Sequence, residues 1–177
     1  MPSPSFDRRS FLKAAGLLAL SHSGCVARLP KEHGGILVND IHSQLNPTRV
    51  ARIVTADSLE AVREALRSAR REGRALSIAG GRHAMGAQQF ATDSVLLDMR
   101  GMKRALSLDA ENGIVEAEAG IEWPDLVADL IARQRGEARQ WGIAQKQTGA
   151  DRLTLGGALA ANVHGRGLAM KPIVGDV

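Results

Sequence analysis

Ala79-Gly80-Gly81-Arg82-His83-Ala84-Met85-Gly86 is the stretch whose reading decides the fold. It continues Ala75-Leu76-Ser77-Ile78, an apolar run that reads as a short buried strand. Gly80, Gly81 and Gly86 can adopt positive φ, and they lack the Cβ that keeps a ligand away from the backbone. A strand opening into such a loop can aim several N–H groups inward, a nest suited to an anion such as a pyrophosphate. Arg82 adds a fixed charge there, and His83 adds a nucleophile. The dinucleotide loop of a Rossmann unit does not fit, because the glycines do not follow Gly-x-Gly-x-x-Gly. Only eight residues separate Gly86 from the next strand candidate at Val95, too few for a crossover helix.

A second glycine block lies about seventy residues further on: Thr148-Gly149-Ala150-Asp151-Arg152-Leu153-Thr154-Leu155-Gly156-Gly157, then Asn162-Val163-His164-Gly165. The first loop resembles the flavin pyrophosphate loop of the vanillyl-alcohol oxidase / p-cresol methylhydroxylase family of FAD-linked oxidases. In that family the pattern is roughly Gly-x-Gly/Arg-His-Ser/Ala-x-x-Gly. The second block is similar to the family's other flavin-lining segment, a Gly-Gly pair followed by His-Gly. The resemblance covers about residues 48 to 177 and implies an α+β fold of the PCMH type, truncated in its second subdomain. It also implies FAD as cofactor. The residues carried over as flavin-binding are Gly80, Gly81, Arg82, His83, Ala84, Met85, Gly86, Thr148, Gly149, Ala150, Asp151, Leu155, Gly156, Gly157, Asn162, His164 and Gly165. A histidine at the place of His83 bonds covalently to the flavin 8α carbon in some members and only hydrogen-bonds in others, so both roles stay open. Nothing in the sequence names a catalytic base. His83, His164, Asp93 and Asp98 show no recognised metal-ligand spacing.

The remaining composition is that of a globular chain: 177 residues, 44% of them hydrophobic. Without Tyr, and with three Phe and two Trp, the core must be aliphatic. Trp123 and Trp141 read as core or interface residues rather than flavin-stacking ones. The net charge of +4 forms no basic stripe with interleaved aromatics, which argues against nucleic-acid binding. At the N-terminus, Asp7-Arg8-Arg9-Ser10-Phe11-Leu12-Lys13 resembles a twin-arginine export motif, followed by a short apolar run from Ala14 to Leu20. Such signals export folded proteins, which suits a domain loaded with its cofactor before export. Cys25 is the only cysteine, so no internal disulfide can form. Ser23-Gly24-Cys25 resembles the end of a lipoprotein signal, with His22 where an aliphatic residue is usual; ordinary cleavage nearby is the alternative.

The domain reading follows: residues 1–25 a twin-arginine signal, 26–47 a linker without periodicity, 48–177 the FAD-binding domain. Within the last, Val50-Ala51-Arg52-Ile53-Val54 reads as one strand. Asp57 is read as N-cap of a helix with Glu60 as capping-box partner, and Leu59, Val62, Leu66 and Ala69 as its buried face. The strand at 75–79 completes a β-α-β start with the glycine loop at its carboxyl end. Val95 to Met99 is a further strand, and Asn112-Gly113 turns a hairpin whose Val115, Ala117 and Ala119 face inward while Glu116 and Glu118 face out. Trp123-Pro124 opens a helix with Leu126, Val127, Leu130 and Ile131 buried, and 156–161 forms another helix.

The functional expectation is an exported FAD-dependent oxidoreductase, periplasmic or membrane-anchored outside the cytoplasm. It takes an alcohol, sugar or aldonolactone-type substrate and passes electrons to oxygen or another acceptor. The twin-arginine export machinery is its other expected partner. The chain ends inside the expected FAD domain with no cap domain, so it reads as a fragment inactive by itself. A non-catalytic exported binding domain, or a cofactor-free remnant of the fold, is the alternative.

Overall fold

The computed structural model of the chain describes residues 34–146, 149–164 and 173. The signal with Arg8, Arg9 and Cys25, residues 26–33 of the expected linker, and the site candidates Thr148 and Gly165 lie outside those residues.

A parallel three-stranded sheet carries the site. Its strands are β3 (Arg52–Thr55), β4 (Leu76–Ala79) and β5 (Val95–Asp98), in the order β3-β5-β4. Helix α1 (Leu59–Arg71) connects β3 to β4, so the β-α-β start is present, with β5 inserted between its two strands. The sequence of β5 explains the central place. Val95, Leu96 and Leu97 are all fully buried, because both faces of a central parallel strand are covered. Leu96 packs with Val38, Val50 and Ala79 on one face, and Leu97 with Ala56 and Ala65 on the other. Each such leucine contributes about 1.5–3 kcal/mol of burial free energy.

Several sequence expectations change here. The stretch read as a linker contains β1 (Ile36–Val38), which pairs antiparallel with β2 (Thr48–Val50), and Val38 joins the core. The run Val50 to Val54 is two strands: the chain leaves one sheet at Ala51 and enters the other at Arg52. Ser58, not Asp57, caps α1, its hydroxyl accepting from the Ala61 N–H at 3.2 Å. Glu60 turns instead to Arg63 and Arg67. The face of α1 that meets the sheet is built from Ala65 and Ala69, with Ala61 and Val62 beside them, while Leu59 and Leu66 are exposed. Small residues at the contact let the helix lie close on β5.

The second half of the chain builds a separate apolar cluster. The hairpin β6 (Ala105–Asp109) and β7 (Ile114–Ala117) turns through 110–113, with Gly113 at φ +68 and the Asp109 carboxylate accepting from the N–H groups of Glu111 and Asn112. Val115 and Ala117 face the cluster as expected, but Ala119 is exposed and Glu118 is buried. Arg104 holds Glu118 through its backbone N–H and its guanidinium, which explains how a carboxylate sits there. Helix α2 (Trp123–Arg133) begins with Pro124 in its first turn and buries Trp123, Leu126 and Leu130; Ile131 points outward. Helix α3 (Leu155–Ala160) is capped by Thr154 and buries Ala158 in the same cluster. Trp141 stacks under the Arg139 guanidinium and donates to the Ala110 carbonyl, away from the parallel sheet.

Candidate functional site

The carboxyl ends of β3, β4 and β5 open on one side, the place where parallel sheets bind ligands. The loop 80–86 leaves β4 there. None of Gly80, Gly81 and Gly86 has positive φ; the left-handed positions are Arg82 at φ +58 and Ala87 at +59. The glycines are needed for close approach instead. A Cβ on Gly80 would overlap the Thr154 hydroxyl, and one on Gly81 would lie 2.7 Å from the Arg152 carbonyl oxygen and 2.9 Å from His83 Cδ2. At Gly86 it would meet only the flexible Gln88 side chain. The two glycine blocks therefore meet in space, 80–83 lying against 152–154. Held left-handed, Arg82 carries a strain of roughly 1–2 kcal/mol, tolerated because its surroundings over-determine it.

Around the loop the polar groups are ordered. The Asp98 carboxylate, at the end of β5, accepts from the Arg100 backbone N–H and guanidinium and lies 3.4 Å from Arg82 Nη2. Burial pushes its pKa up, but the Arg100 hydrogen bonds outweigh that and hold it below the usual carboxylate value. Arg82 Nε is buried without a hydrogen-bond partner among the described residues. Nor does any backbone N–H from 80 to 86 donate to another described residue. Three of the loop carbonyls, by contrast, are taken: that of Arg82 by the Ile41 N–H at 3.1 Å and that of Met85 by Asn46 Nδ2 at 2.9 Å. The Ala84 carbonyl accepts from Gln89 Nε2 at 3.0 Å. Three carbonyls are held by protein partners while the loop's donors are left over, which suits a site for an anion.

His83 spans the gap between the blocks. Its Nε2 lies 2.9 Å from the Arg152 carbonyl oxygen, and its Nδ1 lies 2.8 Å from His42 Nε2. Burial lowers its pKa below the ordinary imidazole value, which favours the neutral ring. Thr154 accepts from the Gly157 N–H and pairs with Glu122 across an isolated bridge. Leu155 and Gly156 donate to the carbonyls of Ile121 and Ala119 at 2.8 Å each, and a Cβ on Gly156 would press on Ala119 Cβ at 2.9 Å. Gly157 is exposed behind its own cap. Asp151 is exposed and bound by Lys146; Gly149 faces open space and Ala150 is half-buried. Asn162 (φ +45) and His164 are exposed beyond the far end of α3, roughly 9 Å of helix away from the Thr154 cap. The structure thus gathers Gly80, Gly81, Arg82 and His83 at the 152–154 segment, and leaves Asn162 and His164 outside that cluster. His42, Asn46 and Thr154 complete it, and no motif spacing marks the first two, which stand some forty positions before their partners.

A family model described as FAD binding domain matches residues 50–176. The chain belongs to that family. Over 112 residues this FAD-binding domain is 33% identical to the L-gulonolactone oxidase of Bos taurus and 31% identical to that of Mus musculus. In each case 63% of this chain is matched to 23% of the relative, so the chain spans less than a quarter of the oxidases it resembles. Among solved structures, a cholesterol oxidase from B. sterolicum superposes with a TM-score of 0.54 at 18% identity, over 73% of this chain and 24% of that one. An alkyldihydroxyacetonephosphate synthase gives 0.53 at 24% identity, over 63% and 21%. At these identities the two structures bear on the fold alone, and they agree with the PCMH-type α+β architecture.

FAD is the cofactor of this domain family, and the residues present fit it. The unspent donors, the N–H groups of 80–86 and Arg82 Nε, suit a pyrophosphate, and Gly80 and Gly81 let the loop that carries them lie against 152–154.

Proposed function

We propose that this chain is the FAD-binding part of an exported oxidoreductase that oxidises an alcohol, a sugar or an aldonolactone-type substrate. When bound, FAD supplies the hydride acceptor and the route by which electrons leave for oxygen or another acceptor. The residues of this chain bind and orient it. Gly80 and Gly81 let the loop pack on 152–154 so that its free N–H groups can face the pyrophosphate, Arg82 adds charge while Asp98 keeps its guanidinium in place, and His83 sets its imidazole beside the loop. The observation that carries this reading is the meeting of the two glycine blocks, with the N–H donors of the loop unspent. The names of the mammalian relatives favour the lactone class for the substrate. Export rests on the Arg8-Arg9 motif and lipidation on Ser23-Gly24-Cys25.

Titration of the purified chain with FAD tests the reading. The flavin absorbance near about 450 nm should shift and the flavin fluorescence should be quenched on binding. Folded protein that leaves both signals of free FAD unchanged would refute it.

A further inference from the structure

Residues 39–46 cross the mouth of the glycine loop just before β2. Asp40 organises this strap: although 2% exposed, its carboxylate accepts from the His42 N–H at 2.9 Å, the Ser43 N–H at 2.6 Å and the Ser43 hydroxyl at 2.8 Å. The turn so closed is tied to the loop on both sides of His42, by Ile41 N–H to the Arg82 carbonyl and by Asn46 Nδ2 to the Met85 carbonyl. His42 is thereby laid over His83, with ring centroids 4.9 Å apart. The proton positions follow from the partners. The Arg152 carbonyl can only accept, so His83 Nε2 carries the proton. His83 Nδ1 is then a lone pair, and His42 Nε2 must donate to it.

We propose that His42 is a positioning residue of the flavin site: by donating to His83 Nδ1 from a turn pinned to the loop, opposite the Arg152 carbonyl on Nε2, it holds the His83 ring neutral and in one orientation beside the pyrophosphate nest. The proposal rests on the FAD reading above. A proton on His83 Nδ1 would make His42 Nε2 give up its own proton and accept, so donation by His42 belongs to the neutral His83 ring, and burial of His83 acts in the same direction. The charged and titratable groups facing His83 are His42 on the strap, and Arg152 with its partner Glu122 on the other side. The separation of 41 positions between His42 and His83 explains why periodicity and motif spacing are silent about it.

The test uses the full chain with nitrogen-15-labelled histidine. Long-range proton–nitrogen spectra of the wild type should show His83 as a single Nε2–H tautomer. In His42→Ala, which removes an exposed side chain, the Arg152 carbonyl still holds Nε2–H but Nδ1 loses its donor, so His83 should be protonated at higher pH, and FAD affinity should fall by roughly threefold to tenfold. His42→Gln, whose amide can donate to the same nitrogen, should restore both. Unchanged His83 spectra and unchanged FAD affinity in His42→Ala would overturn the proposal. So would a disturbed His42→Ala that His42→Gln does not repair, since ring bulk and not donation would then be the cause. A wild type that takes up no FAD, while His42→Ala still raises the pH at which His83 titrates, would sink the flavin reading and leave the role of His42 at the ring standing.

Discussion

At Gly81 the backbone passes so close to Arg152 and His83 that a side chain has nowhere to go. Gly81→Val puts two methyl groups into that gap, and the Arg152 carbonyl is backbone that cannot step aside. FAD affinity should drop by more than about tenfold, read by quenching of flavin fluorescence. An unchanged affinity would place the pyrophosphate elsewhere. Gly86→Ala meets only the end of Gln88 and should bind FAD within about twofold of the wild type, because a flexible side chain gives way at little cost. His83→Ala removes the ring but leaves the unspent N–H groups, so it should still take up FAD. If the flavin of a full-length homologue survives acid precipitation attached to protein, the same substitution there should release it. Retention by the alanine variant would exclude His83 as the point of attachment.

Among the elements, β5 and α1 show how burial, not hydrophobicity alone, sets the cost of a change. Leu97 is 1% exposed between the sheet and α1, whereas Leu66 on α1 is 50% exposed. Leu97→Ala should destabilise by about 2–5 kcal/mol, the range for a cavity left in a core. Leu66→Ala should cost under about 0.5 kcal/mol, the surface range. Urea unfolding followed by circular dichroism compares the two, and equal losses would mean that α1 packs by its leucine face after all. The exposed Glu60–Arg67 and Glu64–Arg71 pairs of α1 add little, since each stays in water.

For the whole molecule, the strap ties the N-terminal edge to the site, and its anchor titrates. Burial pushes the Asp40 carboxyl up, but the hydrogen bonds from Ser43, His42 and Gln44 together outweigh it and bring the pKa from 3.8 to about 2. The folded state therefore holds fewer protons than the unfolded one between these values. The stabilisation is complete above pH 3.8 and is lost as pH falls toward 2. Melting temperatures measured across that interval should fall less steeply in Asp40→Asn than in the wild type; parallel curves would deny Asp40 this part in acid unfolding. Export is tested in cells. Arg8→Lys with Arg9→Lys keeps the charge and should leave the precursor in the cytoplasm, whereas undiminished export would rule out a twin-arginine signal.

The sequence by itself determined the aliphatic core, the β-α-β start and the glycine loop at the end of β4, because these rest on local periodicity and on residue types with narrow uses. Two glycine blocks in order were enough to place the chain among FAD-binding domains. Tertiary structure alone decided that Val50 to Val54 divides between two sheets, that α1 packs by alanines, and that Glu118 lies buried against Arg104. Each of these depends on which surface a neighbour covers, and a period cannot report that. It also decided that Gly80 and Gly81 serve close approach to 152–154 and not positive φ. The same holds for 34–47, whose irregular composition hides β1 and the strap: Asp40, His42 and Asn46 have partners forty positions away or within one tight turn, and only the folded chain brings those contacts about.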